Sequence, residues 1–259
     1  MGNNTLVSKK SASIGKIISN YSFVLIFLAI FISYLIINKG ATTWSGVMNI
    51  LRHSAVVGIL AFGMGLVIIT GGIDLSVGSM LSLVGGLTVV VFNNTHSAVL
   101  TLLFALAAGT ACGLINGLFI GVAKMPAFIV TLGTMLIYRS IAQFYLRTMG
   151  LSIYSMDASH PTYDAIYGFG QAKICTVPVV GIMLLIITAV MVYLSTMTKL
   201  GKRVYAIGSN EKAAHLAGIN VTFTRVMVYV ITGILAGIAA FLWLAMNGSV
   251  DPAPIGKSY

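Results

Sequence analysis

The chain has 259 residues, of which 58% are hydrophobic and 8% charged, and its mean hydropathy is +1.00. Soluble domains carry about 25% charged residues, so this composition excludes a soluble monomer and predicts a protein whose solvent is lipid. The formal net charge is +10. These charges lie in the joints between apolar runs and not on a polar module, which argues against nucleic-acid binding.

Seven apolar segments have the length expected of membrane spans. Backbone polar groups must be satisfied internally in lipid, so we predict that the segments are helices. We therefore predict an all-α, polytopic membrane helical bundle with a single transmembrane domain over residues 1–259. The segments are 21–37, 54–70, 75–92, 97–122, 126–147, 176–197 and 224–246.

The distribution of Lys and Arg predicts the orientation of the chain. The first 20 residues are polar and no signal-peptidase site follows the first apolar run, so residues 1–20 are predicted to be a cytoplasmic tail held by Lys9, Lys10 and Lys16. Each span then changes sides, which makes the joint 198–223 cytoplasmic. That joint is rich in basic residues, whereas the outer joints carry Lys39, Arg52, Arg147 and Lys173.

A polar interruption follows the second span. Gly71 and Gly72 favour a break, and Asp74 and Ser76 come directly after it. Discontinuous helices in membranes usually line a polar cavity, so Asp74 is a candidate for a translocation pathway or its hinge. A tight turn with Asp74 as the N-cap of the next helix fits equally well.

The fourth span carries glycine at every fourth position, at Gly109, Gly113, Gly117 and Gly121. This spacing places the glycines on one helix face and predicts close packing of a second helix. Asn116 lies on the same span, where it either bonds a neighbouring helix or faces a pathway.

Arg139 lies near the middle of the fifth span. A charge at this depth costs several kcal/mol unless it is paired or reaches the interface. Arg139 is therefore either a pathway or buried-pair residue, or a side chain that snorkels from a tilted helix.

The joint 198–223 contains a candidate short helix. Ser209 or Asn210 can cap its N-terminus, Glu211 lies in the first turn, and Gly218 is placed to end it. The result is a helix of about two turns, which would be unstable without a docking surface.

Two docking surfaces are open for this helix. The small side chains of Ala213, Ala214 and Ala217 allow a soluble partner to approach closely. Alternatively, the helix packs on the spans of its own chain.

Motifs for hydrolysis or metal catalysis are missing from the sequence. Gly256-Lys257-Ser258 has the form of the end of a phosphate loop, but position 251, where the motif needs glycine, is Asp. We therefore predict that the chain is not an enzyme, has no catalytic or metal site and carries no cofactor. Its energy source would be another polypeptide or a gradient.

Two motifs resemble the ribose-type sugar permeases of ATP-binding cassette (ABC) importers. One is the run from Gly71 to Gly78, and the other is Gly208-x-Asn210-x-x-Ala213-Ala214-x-x-x-Gly218-Ile219. The resemblance extends over nearly the whole chain, including Pro126-Ala127-Phe128-Ile129-Val130-Thr131-Leu132-Gly133.

The resemblance implies a multi-pass permease of the bacterial inner membrane. Two copies, identical or paralogous, would form the pathway, with a periplasmic sugar-binding protein above and ABC ATPase subunits, which hold ATP and Mg, below. The segment 198–223 would be the coupling loop. Its ATPase-coupling residues would be Gly208, Asn210, Glu211, Ala213, Ala214, Gly218 and Ile219. The pathway or hinge residues would be Gly71, Gly72, Asp74, Ser76, Asn116 and Arg139.

Members of this family usually have about ten spans, whereas seven are present here. We therefore expect the sequence, which stops at Tyr259, to be C-terminally truncated. Two alternatives stay open: a gradient-driven secondary carrier, and a truncated remnant that does not transport.

Overall fold

The computed structural model of the chain describes residues 4–38, 43–151 and 153–252, with side chains from residue 21 onward. The predicted outer joint at Lys39 and the segment Gly256-Lys257-Ser258 lie outside these residues. The side chains of Lys9, Lys10 and Lys16 are also outside the described part.

Helices dominate the described part of the chain. They are α1 (Asn4–Ile37), α2 (Trp44–Ile69), α3 (Val77–Thr95), α4 (Ala98–Gly117), α5 (Ala127–Thr148), α6 (Pro161–Gln171), α7 (Val179–Met197), α8 (Lys199–Ser209), α9 (Glu211–Leu216) and α10 (Val221–Asn247). A π-helical turn, Leu118–Val122, extends α4. Two short antiparallel pairs join β1 (Tyr154–Ser155) to β4 (Ser249–Val250) and β2 (Lys173–Ile174) to β3 (Val177–Pro178).

Six of the described helices are long and apolar enough to cross a membrane: α2, α3, α4 with its π-helical turn, α5, α7 and α10. The predicted first span corresponds to Tyr21–Ile37, a shorter apolar stretch within α1. The predicted all-α polytopic bundle is therefore confirmed, with each apolar segment falling on one helix.

Contacts divide the chain into two compact units, Met1–Met48 and Asn49–Tyr259. In its described residues, the first unit contains α1 and the beginning of α2. The second contains the remaining helices and is the unit in which every feature discussed below lies. The single-domain organisation stays a prediction.

Helix α10 is at the centre of the second unit, where it packs most extensively against α4 and then α3. The glycines of α4 make this possible. A Cβ on Gly109 would overlap the Gly233 carbonyl oxygen, and one on Gly113 would overlap the Tyr229 carbonyl oxygen. The predicted glycine face is therefore a close helix–helix contact, in which the two backbones meet without intervening side chains.

The joints of the second unit gather at two ends. At the coupling-loop end, the joints 70–76, 118–126 and 198–220 border a common cavity. At the opposite end, β1 pairs with β4, and the His96 ring stacks on that of His160 with 4.3 Å between centroids. This grouping is the alternation that the predicted spans require. The assignment of the coupling-loop end to the cytoplasm stays a prediction.

The coupling loop contains two helices, of which sequence reasoning predicted one. The missed helix, α8, begins after Thr198, whose hydroxyl accepts a hydrogen bond from the Gly201 amide at 3.2 Å. Val204 and Ile207 are buried on one face of α8, while Tyr205 is exposed. Helix α8 is thus an amphipathic helix packed on the bundle beside the short helix α9.

Candidate functional site

The predicted break after the second span is present. Helix α2 ends at Ile69 and α3 begins at Val77. Gly71 has a φ of +77°, a left-handed conformation that glycine adopts without steric cost. The amides of Gly71 and Gly72 donate to the carbonyls of Ile68 and Val67, which closes the end of α2.

Asp74 organises the short segment between the two helices. Its Oδ1 accepts hydrogen bonds from the Ser76 amide at 2.9 Å and from the Ser76 hydroxyl at 2.6 Å. The interpretation of Asp74 as an N-cap is wrong, because the residue that precedes α3 is Ser76 and its side chain makes no cap hydrogen bond. Asp74 instead bonds its own backbone two residues on, in an Asx turn.

Three other helices hold this segment. The Asn116 amide on α4 donates from Nδ2 to the Ser76 hydroxyl at 2.8 Å. Thr131 on α5 and Tyr229 on α10 donate to the Ile73 carbonyl at 3.3 Å and 3.4 Å. The break is therefore a point at which α2, α3, α4, α5 and α10 are tied together.

The polar side chains of the break are enclosed by protein. Asp74 is 3% exposed, while Ser76 and Asn116 are 0% exposed. Among the described residues, Asp74 Oδ2 and Asn116 Oδ1 have no hydrogen-bond partner. In this conformation the break is a buried junction between helices, and its polar groups do not line an open channel.

Arg139 is half-buried on α5. The hydrogen bonds that join Asp74, Ser76 and Asn116 are made without it. Sequence reasoning placed Arg139 with these residues as a pathway or hinge residue, and that role stays a prediction.

The predicted short helix in the coupling loop is α9. Asn210 is its N-cap, with Oδ1 accepting from the Ala213 amide at 2.9 Å. Gly218 has a φ of +80°, and the Ile219 amide donates to the Ala214 carbonyl at 3.0 Å. This is a glycine C-terminal motif, so the caps at both ends agree with the sequence pattern.

The two adjacent alanines of α9 have different environments. Ala214 is 4% exposed and packs within the chain, whereas Ala213 and Ala217 are exposed. Ala214 is therefore covered by its own chain, and its assignment as an ATPase-coupling residue stays a prediction. The most exposed large apolar side chain of the loop is Leu216, at 87%, while Tyr205 and Phe223 are each 50% exposed. Sequence reasoning missed Leu216, although a leucine within a polar joint is a recognisable signal.

Two contacts fix α9 and α8 to the spans. Arg225, in the first turns of α10, donates from Nη2 to Glu211 Oε2 at 2.6 Å. Gly208, near the end of α8, lies so close to the end of α2 that a Cβ would overlap the Ile69 carbonyl oxygen. The coupling loop is thus attached both to α10 and to the helix that precedes the break.

A cavity of about 850 Å³ opens between the coupling loop and the break. Its walls come from three joints, and they include Gly71 and Gly72, Lys124 and Pro126, and Lys212 and His215. Glu211, Arg225 and Tyr229 also border it. The break and the short helix α9, which are 135 or more residues apart in the chain (211 − 76 = 135), therefore face one another across a single space.

The chain matches the family model described as the branched-chain amino acid transport system permease component over residues 46–258. It belongs to this family of transport permeases. The predicted resemblance to sugar importer permeases is also confirmed by the curated relatives. The ribose import permease RbsC of Bacillus subtilis is 36% identical over 236 residues, which are 90% of this chain and 71% of that protein.

Other relatives carry related names. The ribose import permease RbsC of Escherichia coli K12 is 35% identical over 81% of this chain and 64% of that protein. The galactofuranose transporter permease YtfT of Escherichia coli K12 is 34% identical over 75% of this chain and 55% of that protein. The chain thus spans between about half and three quarters of the length of these relatives. No solved structure matches it.

Proposed function

We propose that this chain is the membrane-spanning permease subunit of an ATP-driven sugar importer of the bacterial inner membrane. The observation that carries the proposal is α9, a helix capped at both ends and exposed at the end of the bundle where the joints meet. A permease that does not hydrolyse ATP needs such a surface to receive work from another subunit.

The partner at α9 is an ABC ATPase, which holds the ATP and Mg. An isolated six-residue helix is unstable in water, yet α9 is held by its caps and by the Glu211–Arg225 ion pair. Leu216 is the apolar anchor of this surface, with Ala213 and Ala217 beside it. Glu211, Asn210, Gly208, Gly218 and Ile219 shape and orient the helix.

The break from Gly71 to Ser76 is the hinge of the pathway. The left-handed Gly71 lies where the helix is interrupted between Ile69 and Val77, so α2 and α3 can change their relative angle at this point. Asn116 fixes the hinge to α4 in the present conformation. Arg139 serves the pathway from α5.

The substrate is a sugar. The names of the relatives support this class, because they include ribose, galactofuranose and D-allose transporters. The description of the family model refers instead to branched-chain amino acids. Leucine is therefore the comparison substrate in the test.

The remaining partners follow from the same assignment. A second permease copy, identical or paralogous, completes the pathway within the lipid bilayer, and a periplasmic sugar-binding protein docks at the opposite end. The N-terminal tail, residues 1–20, lies in the cytoplasm, which the basic residues of the coupling loop support.

The test begins with purification in a gentle detergent and mass spectrometry of the proteins that accompany the chain. We expect an ABC ATPase among them. Inverted vesicles are not suitable for an importer, so the complex is placed in proteoliposomes with ATP inside and the binding protein outside. Uptake of labelled ribose, allose, galactose and leucine is then measured.

Uptake of one sugar that needs internal ATP and survives an ionophore supports the proposal. Uptake abolished by the ionophore and independent of ATP would identify a gradient-driven carrier. Uptake of leucine without uptake of any sugar would show that the substrate is an amino acid and not a sugar. Absence of both the ATPase and all uptake would contradict the proposal.

A further inference from the structure

Helix α9 is joined to α10 by an ion pair between side chains fourteen residues apart. The side chains of Arg225 and Glu211 are 28% and 50% exposed. Ion pairs with this degree of exposure contribute little to the stability of a fold. The pair is a single short contact of 2.6 Å, and it links the first residue of α9 directly to the second turn of α10.

Tyr229 is one helical turn beyond Arg225 on α10, so the two side chains project from the same face. Its hydroxyl donates to the Ile73 carbonyl at 3.4 Å, and a Cβ on Gly72 would lie 2.9 Å from that hydroxyl oxygen. One face of α10 therefore touches α9 through Arg225 and the break through Tyr229. Both residues border the cavity between the coupling loop and the break.

A shift of Ile73 would reach the rest of the bundle. Its carbonyl also accepts a hydrogen bond from Thr131 on α5, and Asp74 follows it in the chain. Asp74 accepts a hydrogen bond from the Ser76 hydroxyl at 2.6 Å, and that hydroxyl accepts one from Asn116 on α4 at 2.8 Å. Named side chains and the backbone of Ile73 thus connect α9 to α4 without a gap.

We propose that Arg225 and Tyr229 are positioning residues that transmit movement of α9 to the break from Gly71 to Ser76. Pulling α9 displaces the start of α10 through the Glu211–Arg225 ion pair. Tyr229 then shifts against Gly72 and Ile73, where the left-handed Gly71 lets the end of α2 pivot. This inference rests on the proposed function, because α9 moves only if an ATPase acts on it.

A charge-swap cycle tests the first contact. The variants are Arg225→Glu, Glu211→Arg and the double variant, and uptake and ATP hydrolysis are measured in proteoliposomes of the full complex. Each single variant should take up about tenfold less sugar per ATP hydrolysed, and the double variant should recover most of the loss. Arg225→Glu, which changes α10 and not the ATPase-facing helix, should retain the ATPase; the amount of bound ATPase is measured for Glu211→Arg, and uptake is expressed per ATP hydrolysed. Arg147→Glu, an equal charge change at the exposed outer end of α5, should behave as wild type.

A thiol probe reports movement at the break directly. Cys175, which is exposed, and Cys112, which is buried, are first replaced by Ser and Ala. Thr70→Cys then places a thiol at the end of α2, on the wall of the cavity. Because Thr70 is only 7% exposed, the reaction rate of this thiol reports opening of the break. ATP should change the rate at which the thiol at position 70 reacts with a charged reagent, both without further substitution and in the Arg225→Glu, Glu211→Arg double variant. In the Arg225→Glu single variant, ATP should leave this rate unchanged.

Tyr229→Phe tests the second contact, since it removes the hydroxyl that meets Ile73 and keeps the ring. The ATP-dependent change at Thr70→Cys should shrink in this variant, while ATPase binding is unaffected. Tyr193→Phe, on the exposed face of α7, is the matched control. It should leave the ATP-dependent change in reactivity at position 70 unaltered.

The proposal is overturned if the double swap performs no better than the single variants, or if Thr70→Cys responds to ATP normally in Arg225→Glu. A wild-type chain that neither retains an ATPase nor takes up sugar with ATP would refute the proposed function itself, and the inference with it. The two failures are distinguishable, because only the second affects the unaltered chain.

Discussion

Asn116 donates from Nδ2 to the Ser76 hydroxyl at 2.8 Å, although forty residues separate the two in the chain. The same hydroxyl donates to Asp74 Oδ1. One buried serine therefore connects the turn before α3 to the end of α4.

Replacing Asn116 with Ala should destabilise the bundle by about 1–3 kcal/mol, because the buried Ser76 hydroxyl loses a partner and a cavity remains. Thermal unfolding in detergent, followed by tryptophan fluorescence, measures the change. Thr196→Ala is the control, since that exposed hydroxyl bonds only within its own helix. Equal midpoints for the two variants would show that the Asn116–Ser76 bond does not stabilise the junction.

Replacing Gly109 with Ala should separate α4 from α10, because the added methyl group overlaps the Gly233 carbonyl. Overpacking of a tight contact costs about 1–3 kcal/mol, so the unfolding midpoint should fall. Gly133→Ala is the matched variant on α5, where a Cβ has no neighbour within 4 Å. This control should gain up to about 1 kcal/mol from the higher helix propensity of alanine. A neutral Gly109→Ala would contradict the close approach.

Substitution with Glu should loosen the coupling loop at Ala214 and have no effect on the fold at Ala213. Ala214→Glu forces a carboxylate into a buried site and should loosen the coupling loop, whereas Ala213→Glu points to solvent and should leave the fold intact. Trypsin cleavage after Lys212 is the measurement, with faster cleavage expected only for Ala214→Glu. Similar cleavage rates in both variants would mean that Ala214 is not covered by its own chain.

Replacing Leu216 with Ser should weaken binding of the ATPase about tenfold or more, since burial of a leucine side chain at an interface is worth about 1.5–3 kcal/mol. Binding is measured by titrating the purified ATPase against the permease in nanodiscs. Leu151→Ser, also exposed but in the joint after α5, should bind as wild type. Unchanged affinity for Leu216→Ser would remove Leu216 as the anchor.

Asp157, in the joint between α5 and α6, should titrate below the ordinary aspartate value. Hydrogen bonds from the Ser159 hydroxyl and amide lower the pKa of its carboxyl. Because the folded pKa lies below the unfolded value of about 3.9, the stabilisation is present above that pH and disappears as the pH falls through the folded pKa.

The pKa of Asp157 can be followed by carbon NMR of the aspartate carboxyl groups in detergent micelles, with Asp157→Asn to assign the signal. Ser159→Ala should move the pKa up toward the ordinary value. An Asp157 signal that titrates identically with and without the Ser159 hydroxyl would exclude the hydrogen bond from that hydroxyl as the cause of the lowered pKa.

The sequence by itself determined the helical spans and the places where they stop. An apolar segment in lipid has to satisfy its backbone internally, so length and hydropathy suffice to predict a helix. The stop after Ile69 and the end at Gly218 follow from local chemistry, because glycine acts on the backbone within a few residues. The sequence limited the N-cap of α9 to Ser209 or Asn210, and the structure shows that it is Asn210. The glycine face of α4 was also predictable, because residues spaced four apart lie on one face of a helix.

Only the tertiary structure decided which side chains meet across the bundle. The sequence treated Ala213 and Ala214 alike, and packing against the spans separated them into an exposed and a buried residue. It offered Asp74 as an N-cap, whereas in the structure Asp74 accepts from Ser76 in a turn, and Ser76 itself accepts from Asn116 on α4. The Glu211–Arg225 ion pair depends on how α9 folds back on α10. Contacts of this kind arise from the sum of many weak packing terms along the chain, and no local pattern of residues records that sum.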